Sequence, residues 1–272
     1  KSVKTDHIPQ NRWATWIKDL ANAGGTGGLN WHVHAMRSLH RWLPTRELIA
    51  SFLSQVSPQQ SHLLLIGCSA GWMLPTPWLQ RFERIDIFDI DPLVPWLFGL
   101  RHGRDLKAHS VQWQVHRRDA IAGLPALLKQ HPDACVWFDN VLGQVGVRLG
   151  DEDIAERQLS QLKHLLKGRD WGSLHDLYSG GTDASLADPT LESCEWVRMD
   201  DAPEDRSTVR LNQTAMRHPQ AAQWLLNRLN ATGVWHDHAT QTVFAPGTVT
   251  TLIPWAFKPH YWHWLQAAWI KS

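Results

Sequence analysis

Residues 63–71 read Leu63-Leu64-Leu65-Ile66-Gly67-Cys68-Ser69-Ala70-Gly71, an apolar run that stops at one glycine and meets another four positions later. A buried strand that leaves through a glycine turn lets backbone N–H groups approach a ligand closely and offers a helix N-terminus to its negative end. Comparable short runs follow at Ile85-Asp86-Ile87-Phe88, Val111-Gln112-Trp113-Gln114-Val115, Ala134-Cys135-Val136-Trp137-Phe138 and Ser173-Leu174-His175-Asp176-Leu177. Helix-like segments separate them, and that alternation predicts a doubly wound, mostly parallel sheet with helices on both faces.

Residues 1–60 read as an N-terminal helical extension. Trp13, Trp16, Ile17 and Leu20 fall at helical spacing, Gly24-Gly25-Thr26-Gly27-Gly28 reads as a hinge, and a second helix is predicted from Pro44 to Gln55. Residues 61–272 form the α/β domain. In it Asp151-Glu152-Asp153 opens a helix whose apolar face is Ala155, Leu159, Leu162 and Leu166. The polar stretch near 180–206 reads as an insertion, and Ala221 to Leu229 as a helix. Two final strands, Thr240–Ala245 and Thr248–Phe257, are predicted to form an antiparallel hairpin around Pro246-Gly247.

Composition excludes several classes. With 272 residues, 43% of them hydrophobic, the chain can bury a large core, which rules out a disordered chain. A formal charge of +1 gives no reason to expect nucleic acid, and Arg101, Arg104, Lys107, Arg117 and Arg118 read as solvated surface. No run is long and apolar enough for a membrane helix, and three scattered cysteines fit a reducing cytoplasm. A cytoplasmic protein with a small-molecule substrate is expected, with its oligomeric state open. Seventeen Trp against two Tyr is an unusual balance; indoles serve both as core filler and as walls for flat ligands.

The second strand adds the deciding carboxylate. Asp89, in Asp89-Ile90-Asp91-Pro92, lies twenty-two residues beyond Gly67, near the roughly 20-residue offset at which an acid meets a ribose in doubly wound folds. A nucleoside-containing cofactor follows. The nicotinamide pattern needs glycines at its first, third and sixth positions, where this chain has Gly67, Ser69 and Trp72, so NAD is disfavoured.

This arrangement resembles motif I of the class I S-adenosylmethionine-dependent methyltransferase superfamily, with the match continuing in order across about residues 60 to 260. The resemblance implies a Rossmann-like seven-stranded sheet with S-adenosyl-L-methionine as cofactor. It implies that Gly67, Cys68, Ser69 and Gly71 form the cofactor turn, and that Asp89 holds the ribose hydroxyls, with Ile90 beside it and Asp91 as the nearby alternative acid. It places Asp119 and Ala120 next to the adenine, and Phe138-Asp139-Asn140 at the strand end facing the methyl group. Two departures stand out: Leu65 replaces the usual first-strand acid, and Ser69 replaces the middle glycine.

For chemistry, Asp139 is the candidate to orient or deprotonate the acceptor, with Asn140 and Gln144 as polar positioners. Trp31, His34 and Tyr178 are candidates for the acceptor wall. The alternative for Asp139 is a turn cap. The pairs His32-x-His34, His236-x-His238 and His260-x-x-His263 could hold a metal if two met in space, but no metal is expected. Ser69 between glycines imitates a hydrolase elbow but leaves Asp89 and Asp119 unexplained. Two readings stand beside the methyltransferase: a catalytically inactive methyltransferase-like scaffold, and an aminopropyltransferase-like enzyme.

Overall fold

The computed structural model describes residues 27–145, 151–183, 209–212 and 221–272. Five parallel strands, β1 (His62–Ile66), β2 (Arg84–Phe88), β3 (Gln112–His116), β4 (Cys135–Asp139) and β5 (Trp171–Thr182), come first along the chain. They are followed by β6 (Val209–Asn212), β7 (Ala231–Asp237), β8 (Val249–Lys258) and β9 (Tyr261–Ile270). The sheet runs β3-β2-β1-β4-β5-β9-β8-β6, with β7 paired antiparallel to β5 outside that path. The first seven strands of this order, with β9 antiparallel to β5, give the Rossmann-like sheet that the motif resemblance implied; β6 and β7 are additions.

The apolar runs are continuous because both sheet faces are covered. Leu63, Leu65, Ile85, Ile87, Cys135 and Trp137 enter one cluster; Leu64, Ile66, Phe88, Val136 and Phe138 enter the other. Helices α1 (Gly28–Ser38) and α2 (Leu43–Gln55) belong to the first cluster through Ala35, Leu48, Ile49 and Leu53. Trp42, between them, is fully buried and donates from Nε1 to the Phe257 carbonyl, while Thr45 Oγ1 donates to Pro254 O, which fixes this helical pair against β8. After β1 and β2 come the short helices α3 (Thr76–Leu79), α4 (Val94–Phe98) and α5 (Arg104–Ala108), then α6 (Leu124–Gln130). Helix α7 (Glu152–Leu165) starts at Asp151, whose side chain accepts from Ile154 N at 2.9 Å, and its Ala155, Leu159 and Leu162 are buried as the spacing predicted. Helix α8 (Ala221–Arg228) precedes β7.

Two sequence expectations are corrected. The terminal hairpin is β8 and β9, turning after Lys258 at Pro259-His260, and not a pair around Pro246-Gly247. The run Tyr261–Ile270 lies between β5 and β8 and is buried through its middle, so it lacks the polar alternation that marks a strand in sequence. The segment 240–245 instead plugs the second cluster with Val243 and Phe244, and Phe244 stacks on Trp171 at 5.5 Å. In the polar stretch near 180–206, Gly180, Gly181 and Thr182 belong to β5 and not to an insertion, and residues 184–206 lie outside the described residues. The first predicted helix, Trp13 to Leu20, most of the glycine hinge and Cys194 lie outside the described residues.

A buried polar relay joins α1 to the sheet. Trp72 Nε1 donates to His32 Nδ1 at 2.9 Å; an indole N–H is only a donor, so Nδ1 accepts and Nε2 carries the hydrogen. That Nε2 donates to Asp91 Oδ2 at 3.0 Å, which also accepts from Gly28 N, while Asp91 Oδ1 accepts from Leu93 N at 2.8 Å. Asp91 is thereby committed to docking the helix. Replacing His32→Ala leaves a buried indole N–H and part of a carboxylate unpaired, and the urea midpoint should fall by the equivalent of about 1–3 kcal/mol. An unchanged midpoint would show that the relay does not hold α1.

Candidate functional site

Strand β1 leaves through a left-handed turn. Gly67, Ser69, Ala70 and Gly71 have φ of 73°, 45°, 70° and 66°. Gly67 is required twice over, since a Cβ there would collide with Val141 and its φ suits only glycine readily. At Gly71 a Cβ would sit 2.6 Å from His102 Nε2. Ser69 and Ala70 carry side chains through conformations that cost about 1–2 kcal/mol per residue. The turn is held by hydrogen bonds: Gly67 N donates to Phe88 O at 2.8 Å, Gly71 N to Cys68 O at 2.7 Å, and Ser69 N to Asp89 Oδ2 at 2.8 Å. Asp89 Oδ1 accepts from Asp91 N at 2.9 Å, so this carboxylate ties the end of β2 to the exit of β1.

A cleft opens over these strand ends in two lobes that share Gly67, Ser69 and Gln144. The wider, about 160 Å³, is lined by Phe88, Asp89, Ile90, Arg118, Asp119 and Ile121, among others. Arg118 lies over the Phe88 ring at 5.0 Å, and Asp119 Oδ1 accepts from Ile121 N at 3.0 Å, which shapes the loop after β3. The narrower lobe, about 30 Å³, lies among Trp31, Cys68, Trp72, Met73, Asp139 and Trp255. Within it the indole N–H groups of Trp31 and Trp255 and the Ser69 hydroxyl are buried without hydrogen-bond partners. A ligand with acceptor atoms would satisfy all three.

Two carboxyls in the cleft hold protons unusually tightly. Burial raises Asp89 to about 6, opposed by its backbone N–H partners and reinforced by Asp91. Burial also raises Asp139 to about 7; the Trp137 indole opposes this, and the nearby Asp89 charge adds to it. Burial pushes the Cys68 thiol well above its ordinary value, so it is no nucleophile here.

The structure brings together Gly67, Cys68, Ser69, Asp89, Ile90, Asp119, Ala120, Asp139, Asn140, Gln144 and Trp31 as cleft lining. Gly71 belongs to the turn but is not among the residues lining the cleft. Asp91 faces α1 rather than the cleft. Asn140 has φ 54°, and its Oδ1 accepts from Asp176 N at 3.1 Å, which fastens the turn after β4 onto β5. His34 packs edge-on against Phe257 and Trp42, behind Trp31. Tyr178 is not in the cleft: it sits in the outer cluster with Leu225 and Trp264, its hydroxyl accepting from Gln241 at 2.8 Å. A bulge between Asp176 and Tyr178 breaks the alternation of β5 and sends the two to opposite faces. Trp255, Met73 and Phe88 were not singled out for the cleft from sequence, because nothing in an isolated apolar residue separates wall from core. From two of the histidine pairs, His238 and His263 meet, and Asp176 joins them.

No protein-family model matches the chain, and no curated protein sequence matches it. Among solved structures, the N-methyltransferase NodS from Bradyrhizobium japonicum is 16% identical over 65% of this chain and 76% of its own, with a TM-score of 0.32. Magnesium protoporphyrin IX methyltransferase (ChlM) from Synechocystis is 12% identical over 96% of this chain and 100% of its own, with a TM-score of 0.44. A protein described as a putative Zn-dependent alcohol dehydrogenase from Rhodobacter sphaeroides is 15% identical over 80% of this chain and 87% of its own, at 0.36. The chemistry of the cleft is read from its own residues.

Proposed function

We propose that this chain is an S-adenosylmethionine-dependent methyltransferase acting on a small-molecule acceptor. The observation that carries the reading is the placement of the left-handed Gly67–Gly71 turn, Asp89, and Asp139 around one cleft, at the carboxyl ends of adjacent strands. Ligands of open α/β sheets bind there, where the strand order reverses between β1 and β4. The cofactor's contribution is a methyl group on a sulfonium, already activated for in-line transfer, so positioning supplies much of the rate.

Each residue then has a task. Asp89 would accept from the ribose hydroxyls, and Phe88, Ile90 and Ala120 offer apolar surface to the purine. Trp31, Met73 and Trp255 would exclude water around the acceptor, whose chemistry these walls suggest is apolar or aromatic. Asp139, with its affinity for a proton raised to about 7, is suited to take one from an acceptor hydroxyl or amine near neutral pH. The unpartnered Ser69, Trp31 and Trp255 donors fit the amino-acid end of the cofactor.

A second reading, the inactive methyltransferase-like scaffold, draws on the narrowness of the lobe at that end. A volume of about 30 Å³ is far smaller than a methionyl chain needs, so Trp31, Trp72 or Trp255 would have to move for the cofactor to seat. Calorimetric titration with S-adenosylmethionine and S-adenosylhomocysteine, with NAD and decarboxylated S-adenosylmethionine as controls, separates the readings. Micromolar binding of the first two, weakened at least tenfold by Asp89→Ala, is expected for the enzyme; no binding to a folded protein supports the scaffold.

Two pH effects follow from the carboxyls. Asp89 binds ribose hydroxyls better when ionised, so affinity for S-adenosylhomocysteine should drop about fourfold between pH 7.5 and 5.5, and the drop should vanish in Asp89→Ala. A flat profile would remove Asp89 from the ribose. Asp139 titrates near 7 folded and near 3.8 unfolded, so its stabilising contribution is complete below pH 4 and is lost as pH rises through 7. Asp139→Asn should therefore match the wild type at pH 4 and exceed it by about 2–4 kcal/mol at pH 8 in urea unfolding, while slowing any measured methyl transfer. Equal stability at both pH values would contradict the buried, proton-holding carboxyl.

A further inference from the structure

Behind the turn that follows β4, three side chains from separate elements converge: Asp176 on β5, His238 just after β7, and His263 on β9. One donor atom from each lies within 4.8 Å of the other two. Asp176 Oδ1 and His263 Nδ1 are 2.7 Å apart. The remaining nitrogen of that ring, Nε2, is buried with no partner. His238 Nδ1 lies 3.2 Å from the Gly143 carbonyl, which can only accept, so Nδ1 carries the hydrogen and Nε2 presents a lone pair. Ser179 Oγ is 2.9 Å from that Nε2.

We propose that Asp176, His238 and His263 form a binding site for a divalent transition-metal ion of the zinc class. Two imidazoles and one carboxylate are a donor set that zinc accepts while keeping a position open for water or a substrate oxygen. The orientation of His238 supports this, since a ligating histidine is commonly fixed by a hydrogen bond from its other ring nitrogen to a carbonyl or carboxylate. The network as it stands also leaves the buried His263 Nε2 without a partner, which a metal ion would supply. Bonds of about 2.1 Å put tetrahedral ligands roughly 3.4 Å apart, so donor atoms that lie within 4.8 Å of one another have to draw together by at most about 1.4 Å on binding.

The other cluster of this kind among the described residues, His62, Asp86 and His131, is a poorer candidate. There the Arg84 guanidinium already donates to Asp86 Oδ2 at 2.8 Å, and His116 and His62 also occupy that carboxylate. A fixed cation on the ligand oxygen opposes a second one. At Asp176 no arginine or lysine bond is present among the described residues. The site adjoins the cleft without being part of it. Gly143, whose carbonyl orients His238, precedes Gln144 of the cleft wall, and a Cβ on Gly143 would stand 3.0 Å from Asp176 Cβ. Nothing in three distant segments of sequence shows that these side chains meet.

The test does not depend on the cofactor reading. Chelator-treated full-length protein is titrated with zinc(II) against a chromophoric competitor, and separately with cobalt(II) while visible absorption is recorded. The expected result is one tight equivalent of zinc, and cobalt bands of a four- or five-coordinate site. His263→Ala and His238→Ala should each weaken zinc binding by at least about 100-fold, more than loss of an orienting partner costs, while His62→Ala leaves it unchanged. Folding of each variant is checked by near-ultraviolet circular dichroism, and the wild-type cobalt spectrum decides the matter if a variant fails to fold. Absence of a tight equivalent, a six-coordinate aquo-like cobalt spectrum, or binding that survives both substitutions would overturn the proposal.

Discussion

The hydrogen bond from Ser69 N–H to the Asp89 carboxylate is the contact on which the cleft depends. It joins the exit of β1 to the end of β2 and holds a turn in which two residues with side chains, Ser69 and Ala70, adopt left-handed backbone. A carboxylate is needed there because a charged acceptor makes a stronger bond than a neutral one and can hold Ser69 N–H and Asp91 N–H together. The same commitment buries the group and raises its proton affinity. The turn is thus both strained and electrostatically poised, as is common where a backbone must approach a ligand.

Around that bond the chain builds walls from its unusual stock of tryptophan. Trp137 lies in the core, stacked on Trp269 above Gly172, where a Cβ would meet both rings at 2.6 Å. Trp31, Trp72 and Trp255 face the cleft, and Trp42 fastens the helical pair to β8. The relay from Trp72 through His32 to Asp91 sets the position of α1, and with it Trp31. A contact 59 residues long in sequence therefore decides how wide the cleft stands at its narrow end.

Much of this was legible in the sequence where local signals coincide with burial on both faces. Strands β1, β2 and β4 show as apolar runs bounded by glycine or aspartate, and Asp89 stands at the expected offset from Gly67. Helix α7 shows through its Asp151 cap and apolar spacing. What escaped depends on long-range pairing. Strand β9 carries Trp, His and Ala through a middle that is buried between β5 and β8, so its pattern does not alternate. Tyr178 was misplaced because a bulge in β5, invisible in composition, exchanges the faces of its last residues. Asp91 reads from sequence as the alternative ribose acid, yet the residue that claims it, His32, lies on a helix whose docking only the fold reveals. Asp176 and His263 are 87 residues apart and meet through antiparallel pairing of β5 with β9.

The most direct test of the central claim is a crystal structure of the protein with S-adenosylhomocysteine. The expected result is the ribose hydroxyls on Asp89, the purine between Phe88, Ile90 and Ala120, and the sulfur facing Asp139. A ligand bound away from the Gly67–Gly71 turn, or a turn that leaves no room for it with the tryptophans still in place, would contradict a cofactor site at this cleft.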